Sequence, residues 1–424
     1  MRFLRAINNL REKIRSSLGI DFLPQSFVSF FFVHFGFLVT INAINPFANT
    51  LFFRLTGEPD AVLSFHVIVF ALTPIGTILS IFLLKRKTFA MNIRISFYSF
   101  ALLYVVFLFL LRFQNMFWLP VVAILAALGN GFYWVTYSFF IIQHVDDDKR
   151  DKAMALIGVA SGCVSVVAPL LSGVVISTFS SLWGYAIVVS FSIVVAIITL
   201  VHSDKLPSDH DLNVQTNFKK AFALTFKHEV WLDCSLSDLF KGVREGLFTF
   251  YPSLLLFAII RKESVVSFNI FVIGILTIIS SSLYGRMKES YDLKLMMMAI
   301  NILAVVSALM FISYGRATVV ILGFVNAFFN LYILNPTLKV FYNLVSSDEN
   351  SQLMMPELYA IRNCFSGIGR VLGVVLVMWL SRFNKGIPIS ILVITVMQYL
   401  TLYFCKKTDS LLKKNEIQWW STEI

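Results

Sequence analysis

The chain has 424 residues, of which 58% are hydrophobic and only 14% charged, and its formal net charge is +11. The mean hydropathy is +0.78. Soluble domains carry about 25% charged residues, so this composition excludes an ordinary soluble enzyme or binding module. It indicates a polytopic membrane protein, in which spans of about twenty residues are joined by short connections.

The first segment, residues 1–26, is basic and leads into the first apolar stretch. Apolar residues recur at helical spacing from Phe3 to Leu18, which favours a short helix on an anionic membrane surface. A frayed tail is the alternative. The segment has no small-residue cleavage site before the span that follows, so we do not expect a cleaved signal peptide.

Twelve apolar stretches follow, each long enough to cross a bilayer. They are predicted at 27–49, 61–84, 93–111, 119–142, 153–177, 182–201, 235–259, 265–284, 294–314, 317–341, 357–380 and 387–405. Gly, Pro or charged residues interrupt the fifth, seventh and eleventh stretches, so eleven or thirteen spans are the alternatives.

The longest connection, residues 202–229, divides the spans into six plus six. It predicts an N-terminal six-helix bundle at 27–201, a central loop containing a surface helix, a C-terminal bundle at 230–405 and a tail at 406–424. Most of the 35 Lys and Arg fall in connections on the side of the termini. The positive-inside rule therefore predicts a cell-membrane protein, inner or plasma membrane, with both termini cytoplasmic. This membrane topology then accounts for the positive net charge, and we therefore expect no nucleic-acid partner.

The two halves share weak internal similarity, which is common in transporters. Gly36 and Pro46 in the first span have the same separation as Gly242 and Pro252 in the seventh. At a second constant offset, three residues of the fourth span match three of the tenth: Asn130, Tyr133 and Trp134 match Asn326, Phe329 and Asn330.

Two local motifs extend this pattern. The fifth span contains Gly158–Gly162 and then Ala168–Gly173, and the fourth contains the glycine- and aromatic-rich run Leu128–Trp134. With twelve spans and a long central loop, the chain resembles the major facilitator superfamily, in a bacterial, exporter-like branch. The loop after the second span keeps only the basic part of the superfamily signature, Lys85–Lys87. The resemblance implies an all-α membrane protein, with two six-helix bundles that alternate access to a central cavity.

Charged residues open the seventh stretch. Asp238, Lys241 and Glu245 fall within about 60° on a helix, and Arg244 points about 60° further round. The spacings allow an Asp238–Lys241 and a Lys241–Glu245 pair. A charge near the bilayer centre is costly unless it faces a wet cavity or another charge. We interpret these residues as a gate or coupling site, because breaking a pair and desolvating a carboxylate raises its pKa. A static charged collar at the membrane surface is the alternative.

The eleventh stretch carries two arginines. Arg362, Ser366, Gly369 and Gly373 share one helix face, and Arg370 flanks it. Because Arg370 lies deep in the span, we expect it to face the cavity and either pair with a carboxylate or bind an anionic group. We assign transport or coupling roles to Arg362 and Arg370. Static pairing is the alternative.

Aromatic and amide residues suggest the wall of the cavity. Asn130, Tyr133, Trp134 and Tyr137 share a face of the fourth span, and Asn326 and Asn330 share one of the tenth. Such a lining suits an amphipathic or aromatic substrate, whereas helix packing is the alternative. His34 and His66 are candidate proton relays or simply hydrogen-bonded to neighbours.

We expect no metal site and no cofactor, because the 4 cysteines are widely separated and no His, Asp or Glu grouping has zinc spacing. The Asp209–Asp211 triplet reads as solvated loop. The chain has no Walker A motif, so it is not expected to be a nucleotide-driven pump.

The leading hypothesis is a secondary transporter, not an enzyme, that exports a small amphipathic or drug-like compound as a proton-coupled antiporter. Its expected partners are membrane lipids, the substrate and protons, and it is expected to be a monomer. A flippase for a glycolipid or lipid-linked sugar is the alternative within the fold, with Arg244 and Arg370 holding a headgroup phosphate. An intramembrane transferase is disfavoured, because no nucleophile–base motif is present.

Overall fold

The computed structural model describes residues 25–84, 89–144, 147–179, 181–206, 217–287 and 291–413. Several features of the sequence lie outside these residues. They are residues 1–24 of the predicted interfacial segment, the basic turn Lys85–Lys87, the triplet Asp209–Asp211 and the end of the predicted tail, 414–424.

Every regular element in the described part of the chain is helical. The helices are α1 Gln25–Thr56, α2 Asp60–Leu84, α3 Phe89–Phe113, α4 Trp118–His144, α5 Asp147–Thr178, α6 Ser181–His202, α7 Phe218–Lys227, α8 Glu229–Phe248, α9 Tyr251–Ile260, α10 Glu263–Tyr284, α11 Asp292–Ile312, α12 Arg316–Ser346, α13 Glu349–Leu353, α14 Met355–Leu380, α15 Gly386–Val396 and α16 Gln398–Lys413. A 3₁₀ turn, Ser203–Lys205, follows α6.

Twelve of the resulting helical units are long and apolar enough to cross a membrane, the number predicted from the sequence. Helices α8 and α9 together form the seventh unit, and α15 and α16 form the twelfth. Large apolar side chains such as Phe113, Trp183 and Phe191 lie exposed on the outer surface of the helices. Such a surface belongs in hydrocarbon, where a helix satisfies its backbone polar groups internally.

Because each unit crosses once, the connections alternate between two faces of the protein. We call the face with connections 57–59, 114–117, 261–262, 313–315 and 381–385 the distal face. The opposite, proximal face carries α7 and the ends of α6 and α16.

Two bundles of spanning helices, α1–α6 and α8–α16, form the protein. They meet along three helix pairs: α2 with α14, α5 with α10, and α1 with α9. Small residues allow the close approach. A Cβ added at Gly367 would meet the Pro74 side chain 2.6 Å away, and one at Gly274 would meet the Val166 side chain 2.6 Å away. Both contacts join one bundle to the other.

The seventh unit is divided into two helices, whereas the other two interrupted stretches, in α5 and α14, form continuous helices. Helix α8 ends at Phe248 and α9 begins at Tyr251, with Pro252 in its first turn. Proline has no N–H to continue the α8 ladder, and its fixed φ suits the start of a new helix. The break separates the charged part of the unit from the apolar α9.

The surface helix expected in the central loop is α7. The Asn217 side chain caps it by accepting a hydrogen bond from the Lys220 backbone N–H, 3.0 Å away. The helix packs against the proximal ends of α8 and α14. Its Phe222 and Phe226 remain exposed.

Candidate functional site

The closest helix packing in the second bundle is between α8 and α14, and four glycines make it possible. A side chain at any of them would meet the backbone of the facing helix: Gly242 faces Ser366, Gly246 faces Arg370, Gly369 faces Leu239 and Gly373 faces Val243. The glycines of α8 thus pack against the small-residue face of α14 that the sequence predicts. Such close contact is a common way to join membrane helices, and here it brings charged side chains of the two helices within reach.

Asp238 lies at the centre of the first set of ion pairs. Arg362 of α14 donates two hydrogen bonds to it, Nε to Oδ2 at 2.5 Å and Nη2 to Oδ1 at 2.9 Å. Lys241 donates a third, from Nζ to Oδ1 at 2.5 Å. All three residues are buried. A carboxylate with a bidentate arginine and a lysine is well compensated for the loss of water.

Glu245 continues the pattern two turns beyond Asp238 along α8. Arg370 donates to its Oε2 from Nη2 at 2.8 Å and from Nε at 3.3 Å, and Lys241 Nζ lies 3.9 Å from Oε1. Both pairs that the spacing allows on α8 are therefore present, and Arg370 pairs with a carboxylate. Arg362, Asp238, Lys241, Glu245 and Arg370 form one alternating series of charges, which we call the ion chain.

The ion chain runs from the interior of the second bundle to the junction with the first. Its Arg362 end is buried and lies 4.7 Å from the Phe341 ring of α12. Its Arg370 end has a side chain that is 33% exposed and a guanidinium 5.7 Å from the Phe70 ring of α2. A movement of one bundle against the other would therefore change the surroundings of the Glu245–Arg370 pair first.

Arg244 points away from the ion chain, as the helical angle predicts. Its Nη1 donates to Asn330 Oδ1 at 3.0 Å and its Nη2 to Asn326 Oδ1 at 2.5 Å, both on α12. The guanidinium carbon also lies 5.5 Å from the Phe248 ring. Only 1% of Arg244 is exposed, yet no described carboxylate forms an ion pair with it. Asn326 and Asn330, assigned from the sequence to the cavity wall, thus contact a buried arginine.

In the first bundle the predicted cavity residues separate. Tyr133 is fully buried between α1 and α4, where its hydroxyl lies 2.7 Å from His34 Nδ1 and its ring stacks on Phe37 at 3.4 Å. Trp134, in contrast, is 39% exposed and Tyr137 is half-buried. Half-buried Asn130 donates to the Ala126 carbonyl oxygen of its own helix at 2.8 Å.

The second histidine lies where the bundles meet. His66 Nε2 is 2.9 Å from Asn49 Oδ1, and the imidazole stacks on the Phe250 ring at 3.6 Å. Phe250 lies in the break between α8 and α9. His66 therefore contacts the hinge-like part of the seventh unit across the bundle interface.

The sequence analysis missed a polar contact near the distal face. Glu263, 7% exposed at the start of α10, forms an ion pair with Arg54 at the end of α1. The Tyr185 hydroxyl of α6 donates to the same carboxylate oxygen at 3.2 Å, and Thr50 Oγ1 lies 2.8 Å from that hydroxyl. We call Arg54, Glu263, Tyr185 and Thr50 the distal contact. It joins the two bundles, so the distal side is closed here.

No local sequence pattern identifies the residues of the distal contact. Arg54 reads as an ordinary charge next to a connection, and an acidic residue in the first turn of a helix is common because it interacts favourably with the helix dipole. Only the burial of Glu263 against the first bundle reveals the contact. The part of the chain that the structure describes contains no group of three or more His, Cys, Asp or Glu suited to a metal ion.

Three solved structures with a similar arrangement of helices are transporters. The Escherichia coli fucose:proton symporter FucP superposes with a TM-score of 0.61, at 13% identity over 90% of this chain and 98% of that one. A bacterial homolog of the human lysosomal transporter Spinster, inward-facing and unoccupied, gives 0.63 at 14% identity over 94% and 100%. The nucleoside transporter NupG gives 0.62 at 12% identity over 92% and 98%. At these identities the likeness concerns the fold.

Two sequence relatives match this chain at low identity. The Bacillus subtilis (strain 168) protein YqgE, described as uncharacterized, is 22% identical over 292 residues, 68% of each chain. An uncharacterized Geobacillus stearothermophilus protein is 23% identical over 148 residues, 35% of this chain and 69% of that one. A sequence model described as Major Facilitator Superfamily matches residues 27–261, more than half of the chain. This chain therefore belongs to the major facilitator superfamily of transporters.

Proposed function

We propose that this protein is a secondary active transporter that couples export of a small amphipathic compound to proton movement. The observation that carries the proposal is the position of Glu245. Its carboxylate lies deep in a membrane-spanning helix, and its partner Arg370 extends to the first bundle. In alternating access the bundles move relative to one another. The motion would separate Arg370 from Glu245, and a desolvated carboxylate without its cation takes up a proton.

The rest of the ion chain has a supporting role in this mechanism. Asp238 holds Lys241 and Arg362 inside the second bundle, where all three are buried. Lys241 is shared between Asp238 and Glu245, so it can stabilise whichever carboxylate is charged. One solved protein of this fold is named a proton symporter, which is consistent with proton coupling.

Export of an amphipathic compound is supported by Gly158–Gly162 and Ala168–Gly173 in α5, which resemble a degraded form of the superfamily's exporter motif, and by the exposed aromatic ring of Trp134. Half-buried Tyr137 lies beside Trp134, with ring centroids 5.6 Å apart. Aromatic rings of this kind contact an apolar body while their polar atoms orient it. Drug-like metabolites fit such a wall.

We further propose the topology predicted from the sequence. Both termini and α7 would lie in the cytoplasm, and the protein would be a monomer in the cell membrane. The bundles 27–201 and 230–405 would move as the two rigid units of alternating access, joined by the loop 202–229. Lipids would cover the exposed apolar surface.

The test is proton flux in liposomes that contain the purified protein and an interior pH dye. Four naphthalene compounds would be added in turn, with a sulfonate, a phosphate, a neutral hydroxymethyl or a trimethylammonium head group. We expect substrate-dependent proton movement in the wild type and its loss in Glu245→Gln, with folding retained. The matched control is Glu229→Gln, at an exposed carboxylate paired with Lys407, which should retain the flux. Proton movement that persists in Glu245→Gln would refute the assigned role.

A lipid flippase is the second candidate, and one feature favours it. A groove of about 460 Å³ lies between the distal parts of α2 and α14, and its lining includes Ile68, Val375 and Trp379 with Arg382 at the end. Val375, Trp379 and Arg382 are exposed on the side that lipid would occupy. An acyl chain with a phosphate head group fits this pattern. Movement of a fluorescent glycolipid between leaflets, without proton flux, would favour this candidate.

A further inference from the structure

The charges buried between α8, α12 and α14 do not balance. The ion chain contains three cations and two carboxylates, in the order Arg362, Asp238, Lys241, Glu245 and Arg370. Arg244, which directly precedes Glu245 in α8, adds a fourth cation. These six residues therefore carry a net charge of +2 in the middle of a membrane-spanning bundle, where uncompensated charge is expensive.

Arg244 is the cation that lacks an anion. Each of the other three forms an ion pair with Asp238 or Glu245, whereas Arg244 forms none with a described carboxylate and donates its hydrogen bonds to the amide oxygens of Asn330 and Asn326. Its Nε is buried and has no hydrogen-bond partner among the described residues. Neutral acceptors satisfy part of the guanidinium but cannot neutralise it. Arginine remains protonated at physiological pH, so a buried positive charge persists at this position.

The two asparagines turn this cation into a recognition site. Arginine has no acceptor, so each asparagine must direct its oxygen to Arg244 and its NH₂ group elsewhere. Asn326 and Asn330 are only half-buried, and in the described part of the chain neither amide nitrogen donates to another residue. A buried cation and two half-buried amide groups thus lie together between α8 and α12. Carboxylate, phosphate and sulfonate groups match that donor set.

We propose, resting on the transport function above, that the cargo of this protein carries an anionic group and that Arg244 is its anchor. Asn326 and Asn330 orient the anion, and Phe248 and Phe329, which lie beside them on α8 and α12, contact the apolar body of the cargo. Arg370 is not the anchor, because Glu245 already occupies its guanidinium.

The first experiment measures thermal stability of the purified protein with the same four naphthalene compounds at constant ionic strength. The sulfonate and the phosphate should stabilise the wild type more than the hydroxymethyl or trimethylammonium compound. Arg244→Gln should weaken binding of the anions by about 10- to 100-fold, the effect of losing a hydrogen bond to a charged group. Arg244→Lys should fall between, since lysine keeps the charge but not the planar fork. Arg112→Gln, at an exposed arginine at the distal end of α3, is the control and should bind like the wild type.

A second variant separates recognition from folding. Asn330→Asp places a carboxylate next to Arg244 and supplies the missing counter-ion. This variant should be more stable than the wild type without ligand and should lose the response to both anions. If Arg244 had only a structural role, the gain in stability would not be accompanied by a loss of the response to anions. The proposal is overturned if no anion stabilises the wild type more than its neutral counterpart, or if Arg244→Gln keeps the full response.

The source of the anionic group is resolved by comparing lipids with soluble compounds. In nanodiscs of zwitterionic lipid, binding of the sulfonate or phosphate compound indicates a water-soluble anion. An Arg244-dependent stabilisation by added phosphatidylglycerol indicates a lipid phosphate. Proton-coupled movement of only the neutral or cationic compound would leave the transport function intact and refute the anionic cargo. Arg244-dependent movement of an anion without proton flux would support the anionic cargo and refute the proton-coupled transport function.

Discussion

One helix junction occurs in both bundles, with different chemistry in each. The predicted repeat relates α1 and α4 of the first bundle to α8 and α12 of the second. In the first bundle, neutral aromatic contacts join the pair: Tyr133 stacks on Phe37 and lies 2.7 Å from His34. In the second, Arg244 donates to Asn326 and Asn330. The same architecture therefore holds a neutral junction on one side and a cationic one on the other.

This difference between the junctions indicates that the two bundles have different tasks. Stacking between the Phe37 and Tyr133 rings involves no formal charge. Charged groups in a low-dielectric interior respond strongly to the arrival or loss of a single charge. The described ion pairs deep in the spans, those of Asp238 and Glu245, belong to the second bundle. We infer that the second bundle senses cargo and protons and that the first provides a stable wall.

The largest expected effect tests the charged bundle. Asp238→Asn leaves Lys241 and Arg362 buried without a full counter-charge, and breaking such a buried pair costs about 3–5 kcal/mol. We expect low yield of folded protein and a strongly reduced melting temperature, measured by fluorescence-detected size exclusion after heating. Asp204→Asn is the control, because its pair with Arg94 is exposed and should be worth about 0–1 kcal/mol. Equal melting temperatures for the two variants would show that the ion chain does not stabilise the bundle.

The sequence predicted the part of this site that depends on a single helix. Apolar length gave the twelve spans, and spacings of three and four placed Asp238, Lys241 and Glu245 on one stripe of α8. The same angles directed Arg244 away from that stripe, and the spacing of Ser366, Gly369 and Gly373 identified the small-residue face of α14. All of these follow from the helical repeat.

The partners across helices could not be predicted, because they depend on which helices adjoin and how each is rotated. Arg362 and Arg370 were recognised as deep charges, but their pairing with Asp238 and Glu245 requires the packed structure. The distal contact is the clearest case. Glu263 is an ordinary acid at a helix start until α1 and α6 surround it with Arg54 and Tyr185.

The next effect tests how the bundles are held together. Arg54→Gln or Glu263→Gln removes an ion pair whose side chains are 33% and 8% exposed, so its worth of about 1–2 kcal/mol lies between exposed and buried pairs. Because the pair closes the distal side, its loss should increase the distal-open population by about tenfold. Spin labels at positions 115 and 313, in distal connections of the two bundles, should report a longer distance.

The labelled protein would lack Cys163 and Cys364, the two native cysteines that are not buried. Exchanging the charges, Arg54→Glu with Glu263→Arg, should restore the closed distance if attraction between the bundles is the cause. An unchanged distance distribution in both single variants would mean that the apolar contact of Phe53 with Phe257 closes the distal side without the ion pair.

The smallest expected effect concerns the neutral junction between α1 and α4. Tyr133→Phe keeps the stack on Phe37 and removes one hydroxyl, so the expected loss of stability is about 0.5–1.5 kcal/mol. Tyr104→Phe is the matched control, since Tyr104 is equally buried and donates to the Thr40 carbonyl oxygen at 3.1 Å. Tyr133→Phe should cost more, because His34 Nε2 already has no partner among the described residues, and the change leaves Nδ1 unpaired as well. A larger loss for Tyr104→Phe would mean that stacking, and not the histidine bond, holds α1 against α4. The α1–α4 junction would then be held by ring stacking alone, whereas the α8–α12 junction is held by the hydrogen bonds of Arg244.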